Sequence, residues 1–325
     1  MRVATGQFSD LTDERLRYCQ QLGVSGVVLN TPKIPGHKKW EYQHLVQLRT
    51  RCESYGLKLE SVENTPIGFY DKAILGLPGR DEQIENYQET IRNIGRAGIP
   101  VLGYHWMANG VWRTTWAPVA RGGAEVSVFH GEELENVPNT HEREYTESEI
   151  WDNYIYFMKA VLPVAEEFGV RLALHPDDPP VPMLGGIPRI FRNFEGFQRA
   201  TELFPTSANG LDFCLGTWSE MGSGLVDKLR YFVEKDKVIY VHFRDVQGYV
   251  PHFQECFLGE GNYDPVQVML TLKTAGFTGF IIDDHVPKMV GDEGWADRGR
   301  AHAIGYLMGM LKAIDQMDSA KSQVD

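Results

Sequence analysis

At 325 residues and 42% hydrophobic content, the chain can bury roughly 75% of its unfolded surface without disulfide staples. Its 32 basic against 44 acidic residues give a net charge of −12, which argues against a nucleic-acid or anionic-membrane partner, because both demand clustered positive charge. No apolar run approaches the ~20 residues of a membrane span. No basic-then-apolar leader opens the sequence, and Cys19, Cys52, Cys214 and Cys256 form no CxxC pair. The expectation is a cytoplasmic protein in a reducing compartment.

Short apolar runs occur at 2–8, 24–30, 57–64, 101–106, 171–176, 210–214, 238–243 and 279–285, most of them rich in β-branched residues. Amphipathic stretches such as LTDERLRYCQQL, EYQHLVQLRTRCESY, DEQIENYQETIRNIGRA and ESEIWDNYIYFMKAVLPVAEEF separate them. Their three- and four-residue apolar spacing predicts helices packed on one face. Several of these helices run into a glycine, at Gly23, Gly56, Gly98, Gly169 and Gly276. Glycine just past a helix closes it in the left-handed conformation.

Eight strands in strict alternation with about eight helices imply a parallel α/β sheet closed into a (β/α)8 TIM barrel. An open doubly wound sheet is the lesser alternative, since no GxGxxG follows the first strand. No linker or composition break interrupts the chain, so residues 1–325 read as a single barrel domain. The length beyond the ~250 residues of a typical barrel lies in long loops after strand 4 (107–147), strand 5 (177–192) and strand 7 (244–263).

Barrel enzymes place their chemistry at the C-terminal ends of strands. Those ends carry Gln7, Asn30, Glu63 with Asn64, His105, His175, Cys214, His242, and Asp284 with His285. Alone, such a histidine more often caps a carbonyl than binds a metal, and a free cysteine is usually a small buried hydrophobe. Four successive strands, however, offer His175, Cys214, His242 and Asp284. Two imidazoles, a thiolate and a carboxylate suit a zinc-, iron- or manganese-type ion better than magnesium or calcium. The other three cysteines read as structural, with Cys19 and Cys52 in helices and Cys256 in a loop.

In HPDDPP (175–180), Asp177 or Asp178 stands close enough to orient the ring of His175. The prolines hold that loop away from helix. The tract GYHWMANGVWRTTW (103–116) sets His105, three tryptophans including Trp112, and Arg113 as a lid over the barrel mouth. Aromatic faces with an arginine suit a polyol carrying a carboxylate, since guanidinium binds carboxylate bidentately. Arg244 is a second candidate for the negative group of a substrate, and Asp177 a further polar contact.

LGLPGRDEQIENYQETIRNIGRAGIPVLGYHWM, then WRT, HPDDPP, GIPRI, Cys214-Leu-Gly-Thr, HFRDV and Asp284-His285 follow in order. This series, from about residue 74 to the C-terminus, resembles the mannonate dehydratase family, a branch of the xylose-isomerase-like barrels. The resemblance implies dehydration of a sugar acid, D-mannonate to 2-keto-3-deoxygluconate. It implies metal ligation by His175, Cys214, His242 and Asp284, with Mn²⁺ as the metal and Fe²⁺, Co²⁺ or Zn²⁺ as alternatives. Three places depart from the family: Val286-Pro287 stands where Gly-Arg is usual, Trp295 where a tyrosine is usual, and Tyr104-His105-Trp106-Met107 where a YNFM-like tract is usual. These departures bear on the substrate shell and not on the metal shell.

Losing water across C2–C3 of an aldonic acid means taking a proton next to a carboxylate, so charge must be offset and an acid and a base supplied. His285 and His105 are the candidates for those two roles. The rival readings are a metal-dependent sugar isomerase or epimerase, an inactive sugar-binding barrel, and a barrel nuclease, the last disfavoured by the acidic charge. The partner is a small sugar acid, with neither nucleic acid nor membrane. The aromatic lid is compatible with a homo-oligomer.

Overall fold

The computed structural model describes residues 1–134 and 137–321. All eight expected strands are present and all pair in parallel. The first is interrupted at Ala4. Its Arg2–Val3 part pairs with the eighth strand, Phe280–Ile282, and its Thr5–Phe8 part pairs with the second, Gly26–Asn30. That split closes the sheet into a ring. Between them run Lys58–Glu63, Val101–Tyr104, Arg171–Leu174, Asn209–Cys214 and Val238–His242 as strands three to seven. The fold is an α/β TIM barrel.

One principal helix follows each strand, from Asp13–Leu22 to Asp297–Lys321. The glycines expected to end helices do adopt left-handed φ values, Gly23 at 78° and Gly276 at 87° among them. A side chain there would cost about 1 kcal/mol or more. The fourth principal helix, Glu147–Glu167, starts at a reciprocal cap: Thr146 accepts from the Glu149 N–H while Glu149 accepts from the Thr146 N–H.

Two apolar zones hold the barrel. The larger lies between strands and helices and includes Leu45, Ile91, Phe157, Phe213 and Leu307. The smaller fills the barrel's interior floor with Ala4, Val28, Val101, Ala173, Ile239, Tyr240, Phe280 and Ile282. Tyr240 stacks on Phe280 at 4.9 Å. A Cβ on Gly103 would lie 2.5 Å from the Tyr240 hydroxyl and 2.8 Å from Cγ of Glu63, so glycine is required for both side chains to sit inside. Above this floor the interior turns polar.

All three long loops hold strands of their own, and the loop after strand 5 pairs Met183–Leu184 with Ile187–Pro188. Thr115–Ala120 and Ala124–His130, from the loop after strand 4, join Asp245–Tyr249 and His252–Cys256, from the loop after strand 7. They form one antiparallel four-stranded sheet that roofs part of the barrel mouth. Cys256 therefore ends a strand and does not lie in a loop. No helix among the described residues is long and apolar enough to cross a membrane.

Candidate active site

Strand register brings the four proposed ligands to one level. Cys214 and His242 are paired across neighbouring parallel strands, and His242 pairs with Ile282, two residues before Asp284. His175 directly follows strand five. The potential ligand atoms of His175, Cys214 and His242 all lie within 4.8 Å of one another. Asp284 Oδ2 is 3.7 Å from the Cys214 sulfur and 3.6 Å from His242 Nδ1.

The hydrogen bonds on the far side of each imidazole show which nitrogen faces the cluster. His242 Nε2 lies 2.9 Å from Glu63 and 3.1 Å from Asp212, so its proton points away from the cluster. His242 Nδ1 is buried without a hydrogen-bond partner. A buried imidazole nitrogen left without a partner is costly in an apolar interior and natural in a ligand. His175 Nδ1 is 2.7 Å from the Pro176 carbonyl, to which its N–H donates, leaving Nε2 free to ligate. The expected aspartate partner of His175 is thus replaced by backbone. The donor set fits a divalent transition metal.

Arg244 runs beneath this cluster. Its Nε lies 3.3 Å from the Cys214 sulfur and 2.9 Å from Asp284, and its terminal nitrogens reach Asp178 at 2.8 Å and Glu220 at 3.0 Å. Burial works against a thiolate at Cys214, but Arg244, His175 and His242 outweigh it and hold the thiol well below its usual pKa. That favours the ligating form. Burial likewise opposes charge on Asp284, yet His285, His242 and Arg244 keep its carboxyl below the usual range.

Arg113 grips Asp178 with both terminal nitrogens, at 2.5 and 2.9 Å, and lies 3.4 Å from Glu255. Arg113 and Arg244 are therefore already paired with the chain's own acids, and Asp178 is their shared partner. Burial and the neighbouring Asp178 push Glu220, at the base of this network, up to about 8 against the pull of both arginines.

The pocket at the strand ends is lined by Gln7, Asn30, Glu63, Asn64, His105, Met107, Val111, His175, Asp178, Asp284 and His285. His285 Nδ1 meets the carboxylate of Glu255, and its Nε2 is 3.7 Å from Asp284. Burial lowers the pKa of His285, but Asp284 and Glu255 raise it further than burial lowers it. His105 differs. Burial, His175 and Arg189 lower it to about 3, and its Nδ1 accepts from the Met107 N–H at 3.2 Å. It is a neutral imidazole with its proton on Nε2.

Several expected contacts lie elsewhere. Asp177 faces the loop: it accepts from the Phe191 N–H at 2.6 Å and sits 3.9 Å from Arg189. Burial raises it to about 6 against that N–H and arginine. Trp112 donates its indole N–H to the Asn109 carbonyl and is absent from the pocket lining. Trp106 is buried against Tyr154 and Phe157, while Trp116 is 51% exposed on the roof sheet's edge strand. The expected aromatic lid is replaced by a β-sheet, because the hairpin pairs its backbone with the loop from strand 7. Trp295 packs edge-on against Phe8 at 5.1 Å beneath the guanidinium of Arg15.

Sequence reading passed over Asp212, Glu220 and Glu255, and listed Glu63 without a role. Asp212 had a signal: a lone acid two positions before Cys214 in an apolar strand must point into the same barrel interior. Glu255 had none, since its place depends on how the two long loops pair.

The D-mannonate dehydratase family model matches residues 1–142 and 139–321. A mannonate dehydratase of Thermotoga petrophila is 30% identical, over 94% of this chain and 95% of that protein. One from Streptococcus pneumoniae is 29% identical over 90% of this chain and 87% of its own. The crystal structure of mannonate dehydratase from Streptococcus suis serotype 2 superposes with a TM-score of 0.90 at 28% identity, covering 98% of this chain and 95% of that one. A solved L-ribulose 3-epimerase shares the fold, with a TM-score of 0.63 at 13% identity over 99% of this chain and 98% of its own.

Proposed function

The chain belongs to the D-mannonate dehydratase family, a family of metal-dependent hydro-lyases, and from that membership and its own donor set we propose that it dehydrates D-mannonate to 2-keto-3-deoxygluconate. The observation that carries the reading is the convergence of His175, Cys214, His242 and Asp284 around an unpartnered buried nitrogen of His242. A divalent ion held by these four residues, Mn²⁺ in this proposal, would offset the negative charge that develops when the proton beside the carboxylate leaves.

The residues of the chain divide the remaining work. Glu255 fixes the His285 ring through Nδ1, which leaves Nε2 to exchange a proton with substrate. His285 takes up the C2 proton at Nε2 and gives it to the departing 3-hydroxyl, so that the proton and hydroxide leave together as water. Its raised pKa suits the first half of that exchange. His105, neutral with its proton on Nε2, is a hydrogen-bond donor that orients a substrate oxygen. Arg113 and Arg244 hold Asp178, Glu220 and Glu255 in place and are positioning residues. A cytoplasmic location belongs to the same proposal.

A second reading, a sugar epimerase on the same barrel, has one observation behind it. Trp295 stands where relatives are expected to carry a tyrosine hydroxyl, and its buried indole N–H has no partner. The test is incubation of Mn²⁺-loaded protein with D-mannonate and a panel of aldonates. Formation of a 2-keto-3-deoxy acid, detected with semicarbazide, supports dehydration. Inertness on every aldonate with turnover of ketoses supports the epimerase.

A further inference from the structure

The roof sheet carries a second group of metal-ligating side chains, away from the strand ends. His130, the last residue of Ala124–His130, and His252, the first of His252–Cys256, are directly opposed in an antiparallel pair. Opposed residues project from the same face with their Cβ atoms about 5 Å apart. Their rings are 5.8 Å apart, centroid to centroid. Glu132 follows in the short turn Gly131–Leu134, and its Oε2 lies 3.2 Å from His252 Nδ1.

Strand alternation fixes which way the group faces. Glu255 and Phe253 point inward, to His285 and to the guanidinium of Arg113. His252, one position from Phe253, points outward. The three potential ligand atoms lie within 4.8 Å of one another. The side chains of His252 and Glu132 are 53% and 58% exposed, so an ion reaches them from solvent and water completes its shell. An ion pair between Glu132 and His252 alone accounts for two of these groups but not for the third imidazole beside them.

We propose that His130, Glu132 and His252 form a second metal site, of the two-histidine, one-carboxylate kind, on the outer face of the roof sheet. Its ligands are nitrogen and oxygen without sulfur, and the cation it suits is Zn²⁺ or a neighbouring late first-row divalent ion. The bound ion ties the loop after strand 4, which supplies His130 and Glu132, to the loop after strand 7, which supplies His252. The same two loops bring Arg113 and Glu255 to the active site. The site is thus a clip on the back of the roof.

The test uses the whole protein, first saturated with Mn²⁺ and then titrated calorimetrically with Zn²⁺. Bound Mn²⁺ and Zn²⁺ are counted by elemental analysis after desalting. The wild type takes up one further Zn²⁺ per chain while keeping its Mn²⁺, and Zn²⁺ raises its melting temperature. His252→Ala, His252→Gln and His130→Ala each weaken this uptake at least tenfold and lose the thermal shift, with folding in the absence of Zn²⁺ unchanged. No uptake beyond the exchange of Mn²⁺ for Zn²⁺ would overturn the proposal. So would an extra Zn²⁺ bound equally well by wild type and by the His252 variants.

Discussion

His242 and Glu63 meet across the barrel interior, Nε2 to carboxylate oxygen at 2.9 Å, on the side of the imidazole that faces away from Cys214. This bond decides which nitrogen of His242 faces the cluster. Removing the outer partner of a ligating histidine typically costs 10–100-fold in metal affinity. Glu63→Gln should weaken metal binding by that range, measured by competition with a chelator, while Cys214 and His175 stay in place. Unchanged affinity would mean that Glu63 does not orient a ligand.

Cys214 separates ligation from packing. If its thiolate binds metal, Cys214→Ser and Cys214→Ala both lose metal, and neither loses stability in proportion. If it is only a buried small side chain, serine is the more harmful through its unsatisfied hydroxyl, and metal content stays full. Metal content and melting temperature of the two variants distinguish these outcomes.

His285 and Glu255 act as a pair in this account. His285→Asn should lower kcat by 10²–10⁴-fold, the range for loss of a general acid–base group, with metal content retained. Glu255→Gln should lower kcat less and displace the pH profile, because the carboxylate raises the imidazole pKa. Equal kcat in His285→Asn and wild type would remove this residue from proton transfer.

His105 gives a pH dependence of stability. Its folded pKa, about 3, lies below the unfolded value near 6.5. The unfolded chain therefore binds a proton that the native one does not, and stability falls as pH drops below 6.5. At pH 5 the contribution is about 2 kcal/mol. Wild type should be the more stable of the two at pH 7, and its margin over His105→Asn should shrink on acidification to pH 5. A margin constant from pH 7 to pH 5 would contradict a neutral buried His105.

The buried ion network carries the roof. Breaking one partner of such a pair typically costs 3–5 kcal/mol. Arg113→Met leaves Asp178 with Arg244 alone, and chemical denaturation should show a loss in that range. A change under 1 kcal/mol would show that the network is not held by Arg113.

The barrel and the convergence of His175, Cys214, His242 and Asp284 were legible because both rest on local rules. Apolar periodicity and helix-ending glycines mark each strand and helix, and strand ends in a closed parallel barrel converge. The surroundings of those four residues were not. Asp177 and Asp178 are neighbours in an identical proline-rich context, yet one turns to the Phe191 backbone and the other to two arginines. Nothing within HPDDPP distinguishes them. Arg113 and Arg244 looked free to bind a substrate carboxylate because Asp178, which both hold, comes from a different loop from either. The alternation in AEVSVFH marks a strand, but its pairing with His252–Cys256 spans over a hundred residues.

In the proposed dehydration a proton leaves C2 and hydroxide leaves C3 of a sugar acid. Running the reaction in D₂O and examining the product by NMR and mass spectrometry tests it most directly. The account predicts a 2-keto-3-deoxy acid with one deuterium fixed at C3, from protonation of the enol by solvent. Recovery of an intact hydroxy acid or ketose, with deuterium at an inverted carbon and no water lost, would contradict it.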